Sequence, residues 1–457
     1  MKKLFIASLV FLLSQTAAGA TDGERLDRLK HRTAEIARQT QKVEDITQIQ
    51  RLQRAFGYYI DKGYFGEAAD LFTEQGRVQY GVDGVYIGNE RIKELFTRHG
   101  GGSMTAGPGL PFGRFNMHMQ LQPMITVAEN GQTAKGRWRD FALLGNYKVK
   151  AEWGDAVLEN DYVKVDGVWK IAGMRYYTNF VAPYQGGWAS LEPAGNNWQT
   201  EVSKSFAPDE PSPVLYPRFP GVFVPPYHFA ADKSAIQSSP PISVLSHPDD
   251  PIGRLEAKAD HEANKLARIQ SARAIENLQA MFGYYIDKGK WTEAAGLFSD
   301  DGTYEYGQSG VYIGRDSIKR GLSLMGPEGL EHGQLNNYPM LQPIITVAED
   351  NRTAKGRWRS DVQLARDGTG YWGGGLYENE YVNDNGTWRI SKHHYWVTFL
   401  ADYVKGWGPE GVIPMAPPST TNPPDAPPTV VYESLPNTYI VPYHYVHPVT
   451  GQPHAGE

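Results

Sequence analysis

Phe56-Gly57-Tyr58-Tyr59-Ile60-Asp61-Lys62-Gly63 returns later in the same chain as Phe282-Gly283-Tyr284-Tyr285-Ile286-Asp287-Lys288-Gly289. Working outward from this stretch, Gly84-Val85-Tyr86-Ile87-Gly88 returns at 310–314. Leu121-Gln122-Pro123 and Ile125-Thr126-Val127-Ala128-Glu129 return at 341–343 and 345–349, and Thr-Ala-Lys-Gly-Arg-Trp-Arg at 133–139 returns at 353–359. So long a period indicates a duplicated domain, not a solenoid of small units. The two copies therefore serve as an internal comparison. What both retain belongs to the common scaffold, and what one alone carries marks a difference between them.

The first twenty residues read as a secretory signal: Lys2 and Lys3, an apolar run from Leu4 to Leu13, and Ala18-Gly19-Ala20 before the expected cleavage after Ala20. This predicts a periplasmic or secreted protein. No stretch approaches the ~18 consecutive apolar residues of a membrane-spanning helix, so no membrane span is expected. The 457 residues contain no cysteine, which excludes disulfides, thiol chemistry and cysteine-ligated metals. A net charge of −6 without a basic cluster argues against a nucleic-acid partner. No His-x-x-x-His, phosphate-binding glycine loop or Gly-x-Ser-x-Gly occurs, so neither a metal nor a cofactor is expected. Aromatic residues make up 12% of the chain, which suits packed cores and aromatic-lined surfaces alike.

Residues 22–62 have the three- and four-residue apolar spacing of a helix, closed by Lys62-Gly63 where glycine suits a left-handed cap. A short helix over 65–72, strands near 78–80 and 85–87, and a third helix over about 90–98 capped by Asn89 are expected next. After a Gly/Pro-rich loop come four strand-like runs over 118–128, 133–143, 147–164 and 168–180, with hairpin turns at Asn130-Gly131 and Asp166-Gly167. Helices followed by antiparallel strands make an α+β domain. The expected organisation is a signal over 1–20, a first domain over 21–230, a linker over 231–252 and a second domain over 253–457. Each domain ends in a proline- and aromatic-rich arm. Val224-Pro225-Pro226-Tyr227-His228-Phe229 matches Ile440-Val441-Pro442-Tyr443-His444-Tyr445, and so persistent a motif predicts ordered arms.

The helix ending Tyr-Tyr-Ile-Asp, the Ala-x-Leu-Phe of 69–72, Tyr-Ile-Gly before the third helix and the closing hairpin Asp161 to Gly173 resemble the SnoaL-like branch of the nuclear transport factor two fold, which includes scytalone dehydratase. The resemblance implies two tandem cones, each a curved antiparallel sheet wrapped on helices around an apolar pocket. It also implies a pocket aspartate paired with a histidine, a tyrosine that polarises a carbonyl, and a histidine acting as acid or base. Those positions fall on Asp61, Tyr80 and His118 in the first copy. The second copy keeps Asp287 and Tyr306 but has Tyr338 in place of His118. Tyr59, Tyr285, Tyr338, Trp138, Trp358 and His394 are the candidates for holding a ligand. Each has a plainer reading as a helix-end carboxylate, a strand tyrosine or a core ring. The sheet's outer face, carrying Arg137 and Arg139, suits packing of the two copies as an internal pseudo-dimer, with further self-association left open.

The function expected from these residues is a cofactor-independent lyase. It would remove water, or a small aldehyde in a retro-aldol sense, from a hydrophobic aromatic or polyphenolic small molecule by general acid–base catalysis, with isomerisation as a close variant. The alternative is a non-catalytic periplasmic protein that binds an apolar small molecule.

Overall fold

The computed structural model describes residues 22–104, 107–193, 195–228, 251–329, 331–332, 334–408 and 410–454. The signal segment, and the linker up to residue 250, lie outside the described residues. The first repeat comprises α1 (Asp22–Lys62), α2 (Phe65–Asp70), β1 (Phe72–Tyr80), β2 (Gly84–Ile87), α3 (Asn89–Gly100), β3 (Arg114–Val127), β4 (Thr133–Asn146), β5 (Lys150–Val165) and β6 (Val168–Pro183), followed by a single turn α4 (Glu201–Ser205). The second comprises α5 (Pro251–Asp287), α6 (Trp291–Ala295), β7 (Phe298–Tyr306), β8 (Val311–Ile313), α7 (Arg315–Leu322), β9 (Leu335–Asn337), β10 (Leu341–Val347), β11 (Thr353–Arg366), β12 (Thr369–Asp384) and β13 (Thr387–Asp402).

The α+β duplication read from the sequence is the observed fold. Each repeat has one open sheet, ordered β2-β1-β6-β5-β4-β3 in the first, with β10-β11-β12-β13-β7-β8 as the matching path in the second. The sheets are mixed and not wholly antiparallel as the resemblance implied, because β1 pairs parallel with β6 and β7 parallel with β13. Local chemistry accounts for the element ends. Gly63 adopts φ +75°, and a Cβ there would lie 2.6 Å from the Gly109 carbonyl, so only glycine fits the close of α1. Asp166 and Gly167 both have positive φ, as the β5–β6 hairpin turn requires. Two expectations are corrected. The segment after Leu71 is strand, not helix. The N-cap of α3 is Gly88, whose side chain offers nothing, so Asn89 is the first helical residue.

The chain divides into two compact units, and the division does not fall between the repeats. Among the described residues, one unit is helical and comprises residues 22–43 and 251–267, where Lys265 Nζ donates to Gln41 Oε1 at 3.1 Å. The other holds both repeats. Within it, Trp153 meets its counterpart Trp372 with centroids 5.3 Å apart, and Tyr184 meets its counterpart Tyr403. Equivalent residues in contact are the mark of a two-fold-like pairing. Away from that axis the symmetry fails. Tyr58 OH donates to the Gln342 carbonyl (2.7 Å) and Arg54 to the Pro343 carbonyl (2.8 Å). Their counterparts are open: Tyr284 is 73% exposed, and Gln122 and Pro123 are exposed as well. Among the described residues, no helix is long and apolar enough to cross a membrane.

The arms are ordered over their described lengths. Arg137 donates to the Pro226 carbonyl (3.2 Å) and stacks over Tyr227, while His228 Nδ1 lies 2.8 Å from Glu159 Oε2. The second arm repeats this with Pro442, Tyr443 and His444 against Arg357 and Glu378. It then continues onto the first repeat, where His454 Nε2 lies 2.7 Å from Tyr59 OH and His447 Nε2 donates to the Glu67 carbonyl (2.9 Å).

Candidate active site

A cavity of about 440 Å³ opens between α1, α3, the inner face of the first sheet and the segment around Trp198. Strand alternation directs His118 from β3, Asp140 from β4 and Tyr176 from β6 into it, with Tyr80 from β1. The Asp140 carboxylate collects three donors. Its Oδ2 accepts from His118 Nδ1 at 2.9 Å and from Tyr176 OH at 2.7 Å, and its Oδ1 accepts from Gln120 Nε2 at 3.1 Å. An Nδ1–H given to Asp140 leaves Nε2 as the lone-pair atom of the neutral imidazole. Nε2 has no hydrogen-bond partner among the described residues.

Burial works against a charged imidazole at His118, but the Asp140 carboxylate, its hydrogen bond and Asp61 outweigh that, so the pKa is raised. Tyr80 stacks on Tyr176 (4.9 Å) and on His99 (4.0 Å). Burial, and secondarily Asp140, push the Tyr80 hydroxyl up, so it stays a neutral donor. Burial pushes His99 down to about 3. The wall also carries Arg98 and Lys150, paired with Glu94 and Glu152, together with Arg114, Glu201 and Arg218, and Arg218 lies over the Trp198 ring at 4.4 Å.

Asp140 continues into the core through amide groups. Gln120 Oε1 accepts from Gln53 Nε2 (2.8 Å), Gln53 Oε1 accepts from Tyr162 OH (2.9 Å), and Tyr162 OH accepts from Trp138 Nε1 (3.0 Å). The second repeat retains the inner part of this chain: Trp358 donates to Tyr381, and Tyr381 to Gln279. It loses the outer part together. Met340 stands at the Gln120 position, Ser360 at that of Asp140 and Tyr338 at that of His118, and Gln279 Nε2 ends on the Met340 sulfur at 3.4 Å.

The expected residues distribute unevenly. His118 and Tyr80 line the first cavity, and Tyr306 and Tyr338 line a second one. Asp61 does not meet the His118 ring. Its Oδ1 accepts the His118 backbone N–H at 2.6 Å, and its Oδ2 pairs with Arg359 of the second repeat. Burial raises the Asp61 carboxyl, and Arg359 and the His118 contacts limit the rise. Asp287 holds the Tyr338 N–H in the same way, at 2.7 Å. A carboxylate that ties the helix end to the strand backbone is needed whatever side chain the strand carries, which explains why both copies keep it.

Trp138 and Trp358 lie in the cores beneath the cavities, with their indole N–H groups occupied as described. Tyr59 is covered by the second arm, and Tyr285 is half-buried off the cavity wall. His394 stacks on Trp396 at 3.8 Å, 3.4 Å from Glu305, also off the wall, and burial holds it down near 3. Asp140 was not among the expected residues. Its signals are its place two residues beyond Trp138, hence on the same strand face, and the Asp-to-Ser difference that accompanies the His-to-Tyr difference at 118 and 338.

The folded domain is thus a cone-type α+β unit with a histidine–carboxylate pair inside, present as one polar and one altered copy. The chain belongs to the family of SnoaL-like domains, whose model matches residues 41–175 and 267–394, more than half of its length. No protein of curated function matches the chain. Among solved structures it is similar to a protein assigned as a scytalone dehydratase from Novosphingobium aromaticivorans, at 21% identity over 34% of this chain and 96% of that one, with a TM-score of 0.28. It is similar too to the hexachlorocyclohexane dehydrochlorinase LinA of type 3 from Novosphingobium barchaimii (18%, 31% and 92%, TM-score 0.27). A third is a protein of unknown function from Mycobacterium tuberculosis (22%, 28% and 70%, TM-score 0.25).

Proposed function

We propose that the first repeat is a cofactor-independent lyase, which removes water, or a small aldehyde in a retro-aldol sense, from an aromatic or polyphenolic small molecule. The observation that carries this reading is the His118–Asp140 pair on the wall of a cavity that also presents Tyr80. In dehydration, His118 Nε2 takes the proton from the carbon beside a carbonyl as the enolate forms. Tyr80 donates to the developing oxyanion. The C–O bond then breaks, a C=C bond forms, and the imidazolium returns the proton to the departing hydroxide, which leaves as water. Asp140 holds the tautomer and balances the imidazolium. Arg218, beside the Trp198 ring on the wall, suits an electron-rich or anionic ring substituent. Export, inferred from Lys2 to Ala20, places this chemistry in the periplasm or outside the cell, and cell fractionation tests it.

The experiment is a mass-spectrometric screen of β-hydroxy aryl carbonyl compounds for loss of water or aldehyde. For any substrate found, the base must be neutral. Because the His118 pKa is raised, kcat/KM should rise with pH through a midpoint above the ordinary histidine value and fall away below it. Asp140→Asn removes the carboxylate and leaves burial, which disfavours the imidazolium. The midpoint of the residual activity should therefore move to lower pH. An unchanged midpoint would remove Asp140 from the mechanism.

A further inference from the structure

The second repeat keeps a cavity of about 480 Å³, comparable to the first, although its proton-transfer residues are gone. Among the described residues, its wall carries no His, Asp, Glu or Lys. The replacements run in one direction. Leu324 and Met325 stand where the first repeat has Arg98 and His99, Val397 where it has Thr178, and Leu400 where it has Val181, and Met415 packs at Gly307 as Trp198 packs at Gly81. The one charged residue among the described lining, Arg366, spends its guanidinium on the carbonyls of Leu335, Ala365 and Met325 and on Asn336. A charged ligand would find no partner there, and burying it unpaired is costly. The other polar groups on the wall are uncharged: Tyr304, Tyr306, Tyr338 and Tyr395, with Gln308, Ser309 and Ser419. Burial pushes the hydroxyls of Tyr306, Tyr338 and Tyr395 up, so they stay protonated, and those of Tyr306 and Tyr338 are hydrogen-bonded to each other, a neutral polar pair that a ligand oxygen would join.

The segment Ile413–Pro417 closes one side of the cavity, held to β13 where the Ile413 N–H donates to the Leu400 carbonyl at 2.8 Å. An open hollow lined by apolar side chains exposes hydrophobic surface to water, the mark of a surface kept for a ligand. We propose that this second cavity is a binding site without acid–base chemistry, for a neutral, apolar, ring-containing small molecule whose carbonyl or ether oxygen meets the tyrosine hydroxyls. The inference does not depend on the function proposed for the first repeat.

The test uses the intact chain and 6-propionyl-2-dimethylaminonaphthalene, a neutral aryl ketone whose emission shifts to the blue in apolar surroundings. Saturable binding of one probe is expected. Leu324→Arg, at a 41% exposed residue of the mouth, and Ala416→Trp, which narrows the cavity, should each weaken it at least tenfold, with thermal unfolding unchanged. Tyr338→Phe should weaken it several-fold. Arg218→Ala in the first cavity should leave it within twofold. The anionic 8-anilinonaphthalene-1-sulfonate should bind this site at least tenfold more weakly. No saturable binding, affinity kept within twofold in both Leu324→Arg and Ala416→Trp, loss of binding in Arg218→Ala, or tighter binding of the anionic probe would each overturn the proposal.

Discussion

Replacing His118 with alanine is expected to lower kcat by about 10²- to 10⁴-fold, the range a positioned general base contributes, while the chain stays folded. The reasons are geometric. The ring stands on the cavity wall with Nδ1 committed to Asp140, so Nε2 is the atom presented to a substrate. Its removal takes away the proton acceptor but not the frame around it. Asp61 grips the His118 backbone N–H, which alanine retains, and the inner Gln53–Tyr162–Trp138 links do not involve the imidazole. KM should change much less than kcat, because the rings and cations that line the cavity remain. Turnover by the variant within a fewfold of the wild type would dismiss His118 as the base.

Removing Asp61 should cause the largest loss of stability. Asp61 and Arg359 are both nearly sealed from water, their side chains 2% and 4% exposed. They join the end of α1 in the first repeat to β11 of the second. Asp61→Ala leaves the Arg359 guanidinium buried over the Tyr58 ring at 4.9 Å, with its Nε already lacking a partner and with Asp361 as a charge nearby but not hydrogen-bonded to it. Breaking such a pair costs about 3–5 kcal/mol. Arg359→Ala should cost a similar amount, and Asp61→Ala with Arg359→Ala together should cost less than the sum of the single changes. The parallel change Asp287→Ala removes only the acceptor of the Tyr338 N–H, worth about 1 kcal/mol. Urea denaturation of the four variants checks this, and equal losses at Asp61 and Asp287 would refute the account of the ion pair.

The duplication and the element order were legible because they rest on local signals. Repeated segments, helix periodicity, the Gly63 cap and the Asp166-Gly167 turn need no knowledge of what packs against them. Trp138 was placed on the correct face of β4 by alternation. Its depth was not legible, because that depends on α1 bringing Gln53 over it. The same holds for Asp61. A carboxylate at a helix end can cap, pair or catalyse, and only the approach of β3 on one side and β11 on the other fixes its role. Asp140 was hidden because its tie to His118 arises from the antiparallel register, which sets Gln120 opposite Asp140 and His118 opposite Ala142. Arg357, the counterpart of Arg137, is buried completely, because the second arm covers it. The two-fold-like contact at Trp153 and Trp372 agrees with an internal pseudo-dimer, and its failure at Tyr284 leaves the two repeats with different surroundings as well as different cavities.

The unequal chemistry of the two repeats is tested most directly by giving the first the residues of the second. The double variant His118→Tyr with Asp140→Ser is assayed by mass spectrometry on the best substrate of the screen, beside Tyr338→Phe, with thermal unfolding followed for both. Loss of turnover in the double variant and near wild-type turnover in Tyr338→Phe is the predicted result. A double variant that still turns over substrate, or a Tyr338→Phe variant that does not, would contradict it.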